Sequence, residues 1–277
     1  MLLPIKSLPR LTHGPKPVGS FNIGEFEFEE TGKRLGSGTF GVVLRGKHKE
    51  TGREVALKRI VMHKWAEEGL PLTAVREIKI LKALNHPNII PLLGMSAIQA
   101  DRTKKDEKDL YYMIFPFCKY DLAGLLENPV IHLTKLDIKL LIKQIVDGVA
   151  FLHANQLIHR DIKAANILMT SEGVIKIADF GLARPYDREN PQRKYTGTVV
   201  TRWYRAPELL LGERKYDAAV DVWSVGCVFA ELFKREPIFM GTSDEDQKAK
   251  IWSVCGAPND ENWPGWRDLE EARPIAD

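Results

Sequence analysis

Few features of the sequence place the chain outside the ordinary globular proteins. It has three cysteines, Cys118, Cys227 and Cys255, which are far apart and have no histidine nearby at metal-ligand spacing. An odd number of scattered cysteines suggests neither a disulfide framework nor a zinc site, and it fits a reducing compartment. No long apolar run is present, because the stretch 218–233 is short and carries Asp221 and Glu231. The N-terminal Met1-Leu2-Leu3-Pro4 is too short for a signal peptide and is broken by proline. We therefore expect no signal peptide, no membrane partner and a soluble protein.

An excess of charge of either sign is also missing. The 277 residues carry a net charge of +3, which argues against direct binding to nucleic acid. Its length and its 44% apolar and 28% charged residues allow sizeable hydrophobic cores but not several domains. Residues 1–22 are rich in proline, glycine and basic residues, and we expect them to form a flexible tail.

The most informative segment is His159-Arg160-Asp161-Ile162-Lys163-Ala164-Ala165-Asn166, which is followed by Asp179-Phe180-Gly181. Asp161 can accept a hydroxyl proton, Lys163 can lie against a transferring phosphate, and Asn166 with Asp179 can hold magnesium. Short motifs of this kind also occur by chance in turns, so their context decides. Strands predicted at 166–169 and 174–178, with a turn at 171–173, form a hairpin that places the two magnesium ligands near each other.

A glycine-rich segment, Leu35-Gly36-Ser37-Gly38-Thr39-Phe40-Gly41-Val42-Val43, precedes these motifs. Dinucleotide-binding proteins share this spacing, but they open a helix at the third glycine, whereas here apolar residues continue as a strand. The pattern predicts a β-ribbon over phosphates, with Lys58 on the returning strand pointing at them. Lys58 could instead be an exposed strand lysine. A lysine in an apolar cleft requires a carboxylate, and Glu77 in a helix predicted at 73–81 supplies one.

Together these elements resemble the eukaryotic protein kinases, from about Phe26 to the last residue. The resemblance implies an α+β, two-lobed fold, with a small antiparallel β-sheet N-lobe that carries one regulatory helix and a mostly helical C-lobe. It places a kinase domain at 23–277, with the N-lobe at about 23–116, the hinge at about 116–121 and the C-lobe at about 122–277. The resemblance places Ala206-Pro207-Glu208 at the end of the activation segment, after which the family carries several more helices. Because few residues follow Glu208, we expect the C-lobe to be incomplete and to lack its last helices.

One C-lobe helix is also predicted from local pattern. Thr134-Lys135-Leu136-Asp137 has the form of a capping box. It is expected to open a long amphipathic helix whose Leu140, Leu141, Ile145 and Leu152 face the core.

The subfamily is indicated by Pro71-Leu72-Thr73-Ala74-Val75-Arg76-Glu77, which is similar to the cyclin-contacting helix of cyclin-dependent kinases. Thr201-Arg202-Trp203-Tyr204-Arg205 lies where that family has its substrate-positioning loop. Phe117-Cys118 and Ala164-Ala165 most resemble the transcription-elongation members, which pair with T- or K-type cyclins. The resemblance implies Ser/Thr-Pro sites, on the RNA polymerase II repeat tail or elongation factors, and a nuclear location, with the cytoplasm as a second. A cell-cycle kinase is one alternative, and a catalytically silent cyclin-binding fragment is another.

The resemblance further implies ATP and Mg²⁺ as cofactors and assigns roles to individual residues. Asp161 and Lys163 are the catalytic residues, Asn166 and Asp179 bind the metal, and Asp221 holds the central C-lobe helix. An activating kinase is expected to phosphorylate Thr196, whose doubly charged phosphate would bind Arg76, Arg160 and Arg184. The implied ATP-binding residues are Leu35, Gly36, Ser37, Gly38, Thr39, Phe40, Gly41, Val42, Val43, Ala56, Lys58, Glu77, Phe115, Phe117, Cys118, Asp121 and Leu168.

Overall fold

The computed structural model describes residues 19–20, 23–28, 36–38, 41–62, 70–100, 103, 109–186, 195 and 201–272. Its strands are Gly19–Ser20 (β1), Phe26–Phe28 (β2), Gly36–Gly38 (β3), Gly41–His48 (β4), Glu54–Arg59 (β5), Gly94–Ile98 (β6), Leu110–Pro116 (β7), Tyr120–Asp121 (β8), Leu157–Ile158 (β9), Ile167–Met169 (β10), Ile175–Ile177 (β11) and Arg184–Pro185 (β12). Its α-helices are Leu72–Ala83 (α1), Leu122–Glu127 (α2), Lys135–Ala154 (α3), Pro207–Leu210 (α4), Ala219–Lys234 (α5) and Asp244–Cys255 (α6). Short 3₁₀ helices span Ile23–Glu25, Ala164–Asn166, Phe180–Leu182, Arg202–Tyr204, Trp266–Asp268 and Glu270–Ala272. No helix in these ranges is long and apolar enough to cross a membrane.

One compact unit, here called the sheet unit, contains the described residues of Pro9–Tyr120 together with Met169–Gly181. Its strands follow the order β1-β6-β7-β5-β4-β2, and β3 pairs with β4. All of these pairs are antiparallel except β1 with β6, which confirms the predicted antiparallel sheet with one exception. Because alternate strand residues point to the same face, one side of the sheet buries Phe26, Leu44, Val55, Leu57, Tyr112 and Ile114.

Helix α1 belongs to the sheet unit and begins after Pro71, which stands at its N-cap position. Its buried residues include Ala74, Glu77 and Leu81, which lie three and four residues apart. This spacing puts them on one face of the helix. The carboxylate of Glu77 is therefore directed inward with apolar neighbours, as a partner for a buried cation requires.

A second compact unit, here called the helical unit, contains Asp121–Leu168 and the described residues of Leu182–Asp277. The predicted capping box at the start of α3 is confirmed, because the Asp137 N–H donates to Thr134 Oγ1 at 3.2 Å and the Thr134 N–H donates to Asp137 Oδ2 at 2.8 Å. The prediction that Leu140 faces the core is wrong, since this side chain is 52% exposed. The buried stripe runs through 138, 141, 145, 149 and 152. A residue two positions along a helix from 138 points to the opposite side.

Helices α3 and α5 pack together in the helical unit. Helix α5 ends at Lys234 and is followed at the C-cap by Arg235, which has a left-handed backbone with φ of 63°. The Arg235 guanidinium donates to the carbonyls of Leu126 and Asn128 at 2.7 Å and of Ile131 at 2.6 Å. One side chain thereby binds a carbonyl in the last turn of α2, which has no helical partner, and two carbonyls of the segment that follows. The predicted limits 1–22 and 23–277 stay predictions.

Candidate active site

The glycine-rich segment forms part of a β-ribbon rather than the start of a helix. Strands β3 and β4 pair antiparallel, with Gly36 opposite Val43 and Gly38 opposite Gly41. The predicted ribbon geometry is therefore confirmed, and the dinucleotide-type arrangement is excluded for this segment. Leu35, Thr39 and Phe40 lie outside the described residues.

Lys58 lies on β5, between Val43 of β4 and Met113 of β7. Its Nζ donates to both carboxylate oxygens of Glu77, at 2.8 and 3.1 Å, so the predicted pair is present. A second carboxylate, Asp179, accepts from the same Nζ at 3.1 Å through Oδ1. Burial lowers the pKa of Lys58, but the two carboxylates outweigh this effect and raise the pKa above its usual value. Lys58 is therefore a fixed positive charge at neutral pH.

Asp179 adopts a left-handed backbone with φ of 64°, which is uncommon for a residue with a side chain. It follows β11, and the turn that precedes this strand is closed by the Val174 carbonyl accepting from the Thr170 N–H at 3.0 Å. Gly173 in this turn has φ of 79° and so takes a conformation that glycine adopts without strain. The predicted hairpin turn is thus present, and it leads directly to the Asp179 carboxylate.

The remaining candidates for nucleotide binding occupy ordinary structural positions. Ala56 is half-buried on β5, Phe115 is buried on β7, and the Arg45 guanidinium lies 4.6 Å from the ring centre of Phe117. Burial raises the pKa of the Cys118 thiol to about 11, against a small opposing effect of a nearby lysine, so the thiol is neutral at pH 7.

Asp121 and Leu168 are the candidates that lie in the helical unit. The carboxylate of Asp121 caps α2 by accepting from the Gly124 N–H at 2.9 Å. Leu168 is half-buried on β10.

The predicted catalytic residues Asp161 and Lys163 form a hydrogen-bonded cluster with Asn166 and Thr201. Asp161 is 4% exposed. Its Oδ2 accepts from Lys163 Nζ at 2.9 Å and from Asn166 Nδ2 at 2.8 Å. Lys163 Nζ also donates to Thr201 Oγ1 at 3.0 Å. Asn166 ends a 3₁₀ turn, one residue before the strand in which sequence patterning had placed it.

A buried carboxylate of α5 holds the backbone just before Asp161. Asp221 accepts from the N–H groups of His159 and Arg160, each at 2.8 Å, and lies 2.9 Å from His153 Nε2. Arg160 has φ of 68°, so the chain turns through a strained conformation here. The family resemblance indicated Asp221, and the contacts show that it fixes the loop as well as lying in the helix.

Two of the three arginines expected around Thr196 meet in the helical unit. Arg160 donates to the Leu182 carbonyl at 2.9 Å through Nε, and Arg184 Nη1 is 3.4 Å from the same oxygen. Arg160 also donates to the Tyr216 hydroxyl at 2.7 Å. Burial raises the pKa of Tyr216, although both arginines act in the opposite direction. Arg76 is half-buried on α1 in the sheet unit, and Thr196 lies outside the described residues.

The loop at 201–205 has contacts that sequence patterning missed. Arg202 and Arg205 both bond to the carboxylate of Asp244, at 2.7 Å from Arg202 Nε and at 3.1 and 3.2 Å from Arg205 Nη1. In the sequence, the role of Asp244 is marked only by its place among acidic residues in the first turn of α6. Acidic residues are favoured there in any helix, so this position does not identify the partners of Asp244. A cavity of about 360 Å³ lies beside the loop and includes Lys163 and Trp203 in its wall.

The comparisons with known proteins fit this geometry. Residues 29–274 match the family described as the protein kinase domain. The chain belongs to the protein kinase family. The resemblance stated from the motifs and the α+β fold expected from it are both confirmed.

Several relatives of this kinase domain are similar to it over most of its length. It is 48% identical over 275 residues to the serine/threonine-protein kinase bur1 of Emericella nidulans, covering 96% of the chain and 50% of that relative. It is 48% identical over 263 residues to the probable cyclin-dependent kinase 9 of Schizosaccharomyces pombe, covering 91% and 44%. It is 43% identical over 244 residues to the cyclin-dependent kinase 9 of Danio rerio, covering 87% and 65%. The chain thus spans between 44% and 65% of the length of these relatives.

Proposed function

We propose that the protein is an ATP-dependent serine/threonine kinase of the cyclin-dependent type. One cluster carries this proposal: Lys163 and Asn166 both donate to Asp161, and Lys163 also donates to Thr201. A buried carboxylate next to a lysine and an amide is the combination that proton acceptance and phosphoryl transfer need. The names of the relatives, a serine/threonine-protein kinase and two cyclin-dependent kinases, support the same class.

The two oxygens of Asp161 have different surroundings, which suggests how the hydroxyl is activated. Oδ2 accepts from both Lys163 and Asn166. Within the described part of the chain, no group donates a hydrogen bond to Oδ1. We assign Oδ1 to the hydroxyl of the protein substrate, whose proton it accepts as the phosphoryl group is transferred. General bases of this kind contribute roughly a hundred- to ten-thousand-fold in rate.

Lys163 connects the proposed base, Asp161, to the loop at 201–205, which the family resemblance assigns to substrate positioning. Its ammonium bonds to Asp161 Oδ2 and to Thr201 Oγ1, so one cation orients both groups. The same positive charge would offset negative charge on the phosphoryl group in transfer. The neighbouring cavity of about 360 Å³ offers room for a segment of the protein substrate.

We assign nucleotide and metal binding to charged and polar side chains, which are described for each unit separately. In the sheet unit, Lys58 would bind the α- and β-phosphates, and Glu77 would hold it in place. Asp179 in that unit and Asn166 in the helical unit offer a carboxylate and an amide oxygen, which are the hard ligands that magnesium prefers. The amide nitrogen of Asn166 donates to the backbone carbonyl and to Oδ2 of Asp161. The amide oxygen of Asn166 is therefore the atom that would bind the metal. Magnesium would neutralise phosphate charge when bound.

Regulation is proposed through Thr196 and its arginines. Arg160 and Arg184 share the Leu182 carbonyl in the helical unit. The neighbouring Tyr195 donates its N–H to the Arg214 carbonyl at 2.8 Å, and its ring lies 5.1 Å from that of Tyr216. A doubly charged phosphate on Thr196, added by an activating kinase, would add charge-assisted bonds to these arginines and to Arg76.

The partners and substrates are proposed from the family resemblance. We expect a cyclin, of the T or K type, to bind at the Pro71–Glu77 segment, where Leu72 is 67% exposed. We expect phosphorylation of Ser/Thr-Pro sites in the nucleus, on the RNA polymerase II repeat tail or on elongation factors. The test measures phosphate transfer from ATP to a polymerase-tail repeat peptide and to a histone-type peptide, with a T-type or a cell-cycle cyclin bound. Faster transfer to the repeat peptide with the T-type cyclin would support this assignment.

The role of Asp161 is tested by Asp161→Asn, with Asp147→Asn as the control. Asp147 is an exposed carboxylate of α3 that pairs with Lys143 at 2.5 Å in the same unit. We expect Asp161→Asn to abolish transfer from ATP while magnesium and ATP still raise the melting temperature. The control should keep both properties. Loss of nucleotide binding together with transfer in Asp161→Asn would show that the residue has a different role.

A further inference from the structure

We infer that Asp244, at the start of α6, is a positioning residue for the protein substrate. Its carboxylate holds the loop at 201–205 by bonding to Arg202 and Arg205. This inference rests on the proposed kinase function, and it adds a residue that lies outside every motif in the sequence. Asp244 is 39 and 42 residues away from its two partners in sequence.

The two arginines converge on one atom. Arg202 Nε and Arg205 Nη1 both donate to Oδ1 of Asp244, at 2.7 and 3.2 Å. Partial burial would raise the pKa of Asp244, but the two guanidinium groups outweigh it and lower the pKa. The carboxylate is therefore charged at neutral pH. Without this charge, two neighbouring guanidinium groups would repel each other inside the loop.

The segment that carries Asp244 also accepts hydrogen bonds from the loop through its backbone. Trp203 Nε1 donates to the Gly241 carbonyl at 3.1 Å, and Arg202 Nη1 donates to the Thr242 carbonyl at 3.1 Å. The Gly241 N–H in turn donates to Oε1 of the buried Gln247 at 2.9 Å. The segment 241–244 thus holds the loop through backbone carbonyls as well as through the Asp244 carboxylate.

The opposite side of the loop is held separately by α5. The Tyr204 hydroxyl donates to Glu231 Oε2 at 2.8 Å, and the Ser224 hydroxyl donates to the Tyr204 carbonyl at 2.8 Å. Removal of the Asp244 charge leaves these bonds in place. The loop should then loosen on the α6 side without unfolding of the unit.

The loop is connected to the chemistry through its first residue. Thr201 Oγ1 accepts from Lys163 Nζ, which also bonds to the proposed base Asp161. A displacement of the loop would therefore move the surface that the protein substrate contacts more than the nucleotide-binding residues. Asp244 should affect binding of the protein substrate and leave binding of ATP unchanged.

The kinetic test compares Asp244→Asn with Asp260→Asn in the chain bound to a T-type cyclin. Asp260 also pairs with an arginine of the helical unit, Arg267, at 3.0 Å, but both side chains are more exposed and far from the loop in sequence. We expect Asp244→Asn to raise the KM for a Ser-Pro repeat peptide about 3- to 30-fold, the range for a partly exposed charge-assisted bond. The KM for ATP should stay within about twofold of the wild-type value.

A rise in the peptide KM that is confined to Asp244→Asn supports the inference. An unchanged peptide KM would overturn it, and so would parallel rises in the KM for peptide and for ATP. An equal effect of Asp260→Asn would also overturn it, because any lost surface pair would then suffice.

Amide hydrogen exchange of the chain without ATP or peptide tests the same contact independently of activity. Residues 201–206 should exchange faster in Asp244→Asn than in the wild type, because local opening governs exchange. Residues 219–234 of α5 should exchange at the wild-type rate in both variants. Wild-type rates at 201–206 in Asp244→Asn would refute the positioning role. If the wild-type chain transferred no phosphate, the proposed function would fail, and the exchange result would still decide the role of Asp244.

Discussion

Replacement of Asp221 by asparagine should destabilise the helical unit strongly. The carboxylate is completely buried and accepts from the N–H groups of His159 and Arg160 while contacting His153 Nε2. Asparagine has a single acceptor oxygen, so its NH₂ group must face at least one of these donors. A buried donor left without a partner costs about 1–3 kcal/mol, and bonds to a neutral acceptor are weaker than those to a carboxylate.

We therefore expect a loss of about 3 kcal/mol for Asp221→Asn. For a chain of this size, that loss corresponds to a fall in the melting temperature of about 6–12 °C. Tryptophan fluorescence is a suitable probe because it reports on this unit, where the residues Trp203, Trp223, Trp252, Trp263 and Trp266 lie.

Asp217→Asn is the matched control for this measurement. Asp217 is an exposed residue just before α5, and its carboxylate accepts from the Ala219 N–H at 2.8 Å. The same chemical change there should cost less than about 1 kcal/mol, because the amide oxygen of asparagine can still accept this single bond and water can reach the new NH₂ group. A fall of less than about 2 °C for Asp221→Asn, or an equal fall for the control, would refute the reasoning that the three buried contacts stabilise the unit.

Two further predictions concern Glu208 and the glycines. Burial raises the pKa of Glu208, so the folded state holds this proton more tightly than the unfolded state; the free energy of unfolding therefore falls as pH rises from about 4.3 through the raised pKa. Urea unfolding between pH 4 and 7 should show that Glu208→Gln reduces this slope, to which the buried Glu231 also contributes, whereas Glu236→Gln, an exposed control, leaves it unchanged. Gly241→Ala should cost about 1–3 kcal/mol in urea unfolding, because the new Cβ would lie 2.6 Å from the Gln247 Cα. Gly226→Ala, whose Cβ would meet nothing within 4 Å, should instead stabilise by about 0.5–1 kcal/mol, and a loss there would contradict the argument.

The features predicted correctly from the sequence depend on local pattern or on motif spacing. The Thr134 capping box is a four-residue pattern, and the ion pair of Lys58 with Glu77 joins two recognisable motifs. Leu140 was misplaced because two adjacent leucines allow two helix faces, and local pattern does not choose between them. The structure chose the face of Leu141 because the rest of the buried stripe lies there.

The contacts that the sequence did not predict lack a local signal. Asp179 bonds to Lys58 across 121 residues, and Asp244 bonds to Arg202 across 42. An aspartate at the start of a helix is favoured by the helix dipole in any protein, so its partners cannot be inferred from its position. Asp221 is harder still, because its partners include backbone N–H groups, which every residue except proline carries.

The bonds to Asp221 can form only late in the synthesis of the chain. His159 and Arg160 emerge from the ribosome 62 and 61 residues before the carboxylate that accepts their N–H groups. Until then, the left-handed turn at Arg160 lacks the two backbone bonds to Asp221 that help to offset its strain. A nascent chain that ends before α5 would contain the proposed base Asp161 and Lys163 but would lack the Asp221 carboxylate that holds the backbone just before them. The backbone just before Asp161 therefore reaches its final set of hydrogen bonds only after α5 has been made.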